Sequence, residues 1–456
     1  MAESLKKERI MNIVTLITHD TGRFLPSYGV ETLRMPAVDR LAQEGLVLDN
    51  AFCNAPQCCP SRAVLFTGLA NYRTGITGMV NPAEGWTFQP ERPHIAQRLS
   101  DAGYHTLGIG ILHEIGNTGR DPDALFKAQG FQDLIPRMGD EDRFGPKHAE
   151  RFGKWLERHD AERPKQPFYA QIGIFESHRD YTSFGECGED SSLGVTIPPP
   201  LKDGPATRKD FAELQAMMRL VDETVGSILD TLDRTGHAED TLFIFTTDHG
   251  LEVPRGKGTL YGLGMETLFL MRGPGIPQGE RYPHLHSHCD LVPTLLEALG
   301  QAPDPELDGV SHWQALQQPA GSKAPRDAHF GAKTQHSQYD PIRSIRTDDY
   351  SYIFNFDAGR PENCCIEVNH GPLHTEQLEI LNVGRKPPEE LYDLRSDPHE
   401  LKNLAEDPDY AGIKAELQQR LARHLVRTRD PLLDGPVEAP RTRERRLALK
   451  EIGSRS

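Results

Sequence analysis

The chain predicts an α/β fold: a large, mostly parallel central sheet sandwiched by helices, followed by a smaller C-terminal α+β part. Three observations lead there. Apolar runs of strand length alternate with amphipathic helical patterns over about 300 residues. The runs are continuous in apolar character, as in strands buried on both faces. Polar residues recur where these runs end, and ligands of open α/β sheets collect at the carboxyl ends of strands. A stretch rich in Pro, Gly and Gln, residues 300–326, separates these units from shorter strand-like pieces. The expected division is therefore 1–325 and 326–456.

Each element has its own signature. Ile13 to Thr18 is rich in β-branched residues and reads as a central strand ending at His19-Asp20. Pro36 to Gly45 reads as a helix with Val38, Leu41 and Ala42 inward, and Leu46 to Leu48 as a short strand. A helix follows from Pro93 to Ala102, then a strand from Thr106 to Leu112 that runs into His113. Phe168 to Phe175 is a strand ending at Glu176-Ser177-His178. Asp210 to Asp233 is a long helix whose stripe includes Leu214, Met218, Val221, Val225 and Leu232. Thr241 to Thr246 is a strand ending at Asp248-His249-Gly250, and Asp290 begins a helix that stops near Gly300. Beyond the boundary, Ser344 to Arg346, Tyr350 to Phe354 and Glu390 to Leu394 read as strands. A helix from Tyr410 to Thr428 carries Ile413, Leu417, Leu421 and Leu425 in register, and the charged tail from Thr442 is expected to fray.

Composition narrows the function. With 51 Lys+Arg against 67 Asp+Glu, the formal charge of −16 argues against nucleic-acid and anionic-membrane partners. An anionic substrate would need a local basic pocket. No apolar run reaches membrane-spanning length, and the polar start Met1 to Arg9 leads into a strand rather than a cleavable leader, so a cytoplasmic protein is expected. Seven cysteines, including the adjacent pairs Cys58-Cys59 and Cys364-Cys365, form neither a disulfide framework nor a zinc ribbon.

The most informative stretch is Cys58-Cys59-Pro60-Ser61-Arg62, continued by Thr67-Gly68. It opens a helix, with Pro60 suited to a first helical position. Cys58 then lies just before free N–H groups that favour an anion, with Arg62 one turn further on. Such a place either acidifies a thiol or holds an oxyanion beside a nucleophile, although a buried cysteine there can also be inert. Asp20 is a candidate metal ligand, acid/base group or turn cap. Gathered on one sheet edge, Asp20, His113, His178, Asp248, His249 and Lys257 would form a reactive centre.

Cys58-x-Pro60-Ser61-Arg62 with Thr67-Gly68 resembles the signature of the type I sulfatases, whose fold is alkaline-phosphatase-like. The resemblance extends along nearly the whole chain. Thr246-Thr247-Asp248-His249-Gly250, Lys257 before Leu260-Tyr261, and Leu391-Tyr392-Asp393-Leu394 with Asp397-Pro398-x-Glu400 all match in order and spacing. The C-terminal part looks most like the sulfamidase branch. The resemblance implies a hydrolase of a sulfate ester or sulfamate of a sugar or other small molecule. It implies a divalent metal and a formylglycine made from Cys58 by a formylglycine-generating or equivalent maturation enzyme. The hydrated aldehyde attacks sulfur in that family. Asp20, Asp248, His249 and Cys58 would hold the metal; Arg62 and Lys257 would neutralise charge; His178 would protonate the leaving group; His113 would serve as base.

Three positions depart from the family pattern. His19 replaces an acid, His249 an asparagine, and Ile111 a lysine two residues before His113. Calcium is the family's metal, but two imidazoles bring manganese and zinc into consideration. His249 is shared with the related phosphonate monoester hydrolases. A phosphonate or phosphate ester hydrolase is thus one alternative, and a non-catalytic binder of sulfated sugars another. Lys333 and Arg343 are candidates to replace the missing charge. Substrate choice is expected in the second domain and in the loop Arg179 to Pro198, whose Glu186, Glu189 and Asp190 disfavour a highly anionic polymer.

Overall fold

Strand β1 (Asn12–Thr18) is buried along its whole length. Its side chains split by pleat: Ile13 and Ile17 enter one apolar core, Val14 and Leu16 the other. In this computed structural model, which describes residues 11–81, 83–88, 92–115, 122–136, 144–179, 181, 187–336, 338–359, 371–381 and 385–454, β1 lies inside an eight-stranded sheet. The chain continues through α1 (Pro36–Glu44), β2 (Leu46–Phe52), α2 (Cys58–Thr67), β3 (His105–Gly110), β4 (Asp133–Pro136), α3 (Gly145–Glu162) and β5 (Phe168–Gly173). Next come α4 (Pro205–Thr235), β6 (Thr241–Thr247), β7 (Phe269–Arg272), β8 (Glu280–Ser287) and α5 (Leu291–Ala298). The sheet order is β4-β3-β5-β1-β6-β7-β2-β8. Only β7 runs antiparallel to its neighbours, β6 and β2. Helices α1, α3 and α4 cover one face, α2 and α5 the other.

A second sheet, order β12-β11-β10-β9, is antiparallel throughout: β9 (His329–Gln335), β10 (Tyr339–Arg346), β11 (Tyr350–Asn355) and β12 (Glu389–Asp393). Helix α6 (Ala411–Arg427) packs on it through Leu417, Leu421 and Leu425. A separate apolar cluster of Phe52, Leu260, Met265, Ile342, Ile353 and Tyr392 joins this sheet to the ends of the large one.

The expected fold class is borne out, with differences in detail. The tail forms a helix, α7 (Pro440–Ser454), rather than a frayed end, with Leu447, Leu449 and Ile452 exposed. Cys58 is the first residue of α2 and Pro60 the third, because the chain turns helical two residues earlier than the proline implies. His113 sits on a 3-10 turn, His113–Ile115, beyond the end of β3. The pair Cys364-Cys365, the segment Met1 to Arg9 and Glu186 lie outside the described residues. Among the described residues, no helix is long and apolar enough to cross a membrane.

Candidate active site

The two central parallel strands β1 and β6 pair from Asn12↔Thr241 to Thr18↔Thr247, so their carboxyl ends are level. His19-Asp20 and Asp248-His249 therefore emerge side by side. Asp20 adopts the left-handed region, φ 54, a costly conformation for a residue with a Cβ. There its amide donates to Asp248 Oδ1 at 3.0 Å. Strand β5 adds His178, the loop after β3 adds His113, and the start of α2 adds Cys58. Cys58 Sγ lies 3.5 Å from His249 Nε2.

Asp248 is gripped from several sides. Arg62 Nε donates to its Oδ2 at 3.1 Å, and the His249 amide to its Oδ1 at 2.9 Å. Burial alone would raise the carboxyl pKa, but His19, His249 and Arg62 outweigh it and hold the group below the usual carboxylate range. Asp20 is likewise held well below that range: Lys257, His178 and His249 overcome its burial.

The same cluster contains polar atoms that protein alone does not satisfy. Neither ring nitrogen of His19 makes a hydrogen bond, nor does Asp20 Oδ1, and all are buried. Burial lowers the pKa of His19, and the facing Asp248 carboxylate opposes the fall. His249 Nδ1 donates to the Gly250 carbonyl at 3.0 Å. Its Nε2 stands 3.1 Å from Asp20 Oδ1 and 3.5 Å from Cys58 Sγ, a convergence of ligand atoms suited to a cation. Ligand atoms of His19, Asp20, Cys58 and Asp248 all lie within 4.8 Å of one another. The donor set fits a divalent cation, and its imidazoles favour manganese or zinc more than an all-oxygen cage does.

On the other side stands Lys257, almost fully buried. Its Nζ reaches Asp20 Oδ2 at 2.8 Å, Glu252 Oε1 at 3.2 Å and His178 Nε2 at 3.3 Å. His178 Nδ1 donates to the Arg179 carbonyl, which leaves Nε2 to face the ammonium. Burial, then the charge of Lys257, lowers His178 to about 3, so its ring is neutral in the resting site. Glu252 is pushed up to about 8, by burial first and by Asp20 in addition, although Lys257 opposes the rise.

Not every expectation fits this geometry. Cys58 is not acidified: burial drives its thiol well above the usual range, and Lys257 offsets little of that. Arg62 faces inward, with Nη1 on the Ile111 carbonyl at 3.0 Å and Nη2 on the Thr18 carbonyl at 3.1 Å. It ties the ends of β1 and β3 to Asp248. Lys333 pairs with Asp340 at 2.8 Å and Arg343 with Asp430, so each already serves a carboxylate. Asp190 accepts from the Ser192 amide at 3.1 Å and caps its own loop.

Four participants escape sequence reasoning. Glu252 has only its place two residues after Gly250 to mark it. Ser61 Oγ donates to the Asp248 carbonyl and meets His288 Nδ1 at 3.1 Å, a link no motif announces. Gln57 Nε2 donates to the Gln335 carbonyl at 2.6 Å and ties the start of α2 to the end of β9. His336, next in the chain, is lowered to about 3 by burial, then by Lys257 and Lys333, which places it within the electrostatic reach of the site.

Residues 11–301 match the sulfatase family as a whole. The chain is 26% identical to an ulvan-active sulfatase of Formosa agariphila, over 93% of this chain and 76% of that protein. It is also 26% identical to the N-sulphoglucosamine sulphohydrolase of Homo sapiens, over 95% of this chain and 93% of the relative. A phosphonate monoester hydrolase from Agrobacterium radiobacter shares the fold, with a TM-score of 0.68 at 20% identity, covering 92% of this chain and 96% of that one.

Proposed function

The chain belongs to the sulfatase family and hydrolyses a sulfate ester or sulfamate; from that premise we propose a sulfated saccharide as its substrate and a centre built around Cys58. The observation that carries this reading is the convergence of Cys58, Asp20, Asp248, His249 and Lys257 at the carboxyl ends of two adjacent strands. A sugar sulfamate is what the human relative's name says it acts on, and the likeness runs through both sheets of this chain.

Asp20, Asp248 and His249, with the side chain at position 58, would hold a divalent metal, which when bound supplies Lewis acidity and neutralises charge. Conversion of Cys58 by a maturation enzyme would supply an aldehyde hydrate, a nucleophile that the buried thiol is not.

The chain's own groups divide the remaining work. Lys257 offers its ammonium to a sulfate oxygen, and in doing so relaxes its hold on Glu252 or His178. An anion beside His178 raises the proton affinity of Nε2. The proton reaches Nε2 from water admitted with the substrate, while the Lys257 ammonium, 3.3 Å away, keeps its charge for the sulfate. His178 then passes the proton to the departing oxygen or nitrogen. His113, kept well below its usual pKa by burial, is neutral and can accept a proton when the nucleophile is regenerated. Arg62 acts through Asp248, which it orients, rather than on the substrate.

Purified protein supplied with O-sulfated and N-sulfated sugars and with an aryl phosphonate tests this assignment. Sulfate release from a sugar at a rate above phosphonate cleavage is the expected result. Faster turnover of the phosphonate would transfer the chain to the alternative chemistry.

A further inference from the structure

A second donor set overlaps the one above at His19 and Cys58 and adds His113. Ring nitrogens of His19 and His113 and the sulfur of Cys58 lie within 4.8 Å of one another. His19 is fully buried; its Nδ1 stands 3.1 Å from Asp248 Oδ2, but neither ring nitrogen is satisfied by a well-aligned hydrogen bond. The Nδ1 of His113 is also buried and without a hydrogen bond. The two rings approach edge to face with centroids 5.5 Å apart. Two imidazoles and a thiol are borderline-soft ligands, and a tetrahedral cation such as zinc takes that combination readily.

We propose that the chain whose Cys58 has not been converted is itself a zinc-binding protein, with His19, Cys58 and His113 as ligands. Binding breaks the S–H bond of Cys58, forms a sulfur–zinc bond and releases the proton to solvent. A carboxylate from the neighbouring cluster of His19, Asp20, Cys58 and Asp248, or a water, completes the coordination. The sulfur is lost on conversion to the aldehyde, so the soft site belongs to the thiol form alone. The proposal rests on the sulfatase reading only in naming the converted form.

The test uses full-length protein whose Cys58 peptide has the mass of the thiol, stripped of metal and titrated with Co2+ and then Zn2+. The expected result is a thiolate-to-cobalt charge-transfer band in the near ultraviolet, displaced by Zn2+. Cys58→Ser should remove the band. His113→Ala should weaken Zn2+ binding by about tenfold or more in competition with a chromophoric chelator. Melting of each metal-free variant checks the fold, and His113→Gln replaces an unstable alanine variant. No charge-transfer band, or Zn2+ affinity unchanged in both variants, would overturn the proposal and place the cation among the carboxylates. Sulfate release by converted protein is measured separately, so either idea can fail without the other.

Discussion

Asp248 and Lys257 are both buried in one site but are held in opposite ways. Asp248 is gripped by Arg62, itself fixed on the Ile111 and Thr18 carbonyls, and by the amides of Asp20 and His249. Lys257 is divided among Asp20, Glu252 and His178 at 2.8 to 3.3 Å. The first arrangement fixes geometry: strand ends, carboxylate and metal donors stay in register. The second stores a choice, because one ammonium serves the Asp20 carboxylate, the protonated Glu252 carboxyl and a neutral imidazole. An arriving anion can redistribute that charge without moving the backbone. Position and proton inventory are thus separated within a single site.

The largest effect should come from breaking the fixed half. Arg62→Ala leaves Asp248 buried without its guanidinium and should cost about 3–5 kcal/mol in stability, read by denaturant unfolding. Lys257→Met should cost less stability than Arg62→Ala, because Glu252, raised to about 8, already carries a proton near neutral pH, and should lower sulfate turnover about 100- to 1000-fold. Equal loss of stability in these two variants would erase the distinction. His178→Gln should reduce kcat about 100-fold, least for a substrate with a good leaving group that needs no proton; an equal loss on all substrates would make its role positional.

The smallest effect concerns pH. The folded pKa of Glu252 lies above its ordinary 4.5, at about 8. Between those values the folded state binds a proton that the unfolded state has released, so this group makes stability fall as pH rises. Thermal melting of chelator-treated Glu252→Gln should therefore decline less from pH 5 to 8 than that of the parent protein. An identical pH slope would show that Glu252 carries no raised pKa.

The same division explains what could be read from the chain. The large sheet was legible because its strands are continuous apolar runs and β1 and β6 end in polar pairs. The elements β4, β8, β9 and α3 were not: Glu280–Ser287 mixes exposed and buried positions, and α3 hides Phe152, Trp155 and Leu156 among many charges. Donors at strand ends followed from topology, which puts Asp20 beside Asp248 once β1 pairs β6. The inward aim of Arg62, the high pKa of the Cys58 thiol and the part played by Glu252 depend on burial and on partners far away in the chain. The link from Gln57 to Gln335 joins residues 278 apart, and no local pattern encodes it.

The central claim is that Cys58 is the precursor of the nucleophile. The mass of the peptide carrying Cys58, taken from protein that actively releases sulfate, tests it directly. The account predicts that the thiol is replaced by an aldehyde in a fraction of molecules that tracks specific activity. Full activity from protein whose Cys58 is entirely thiol would contradict it.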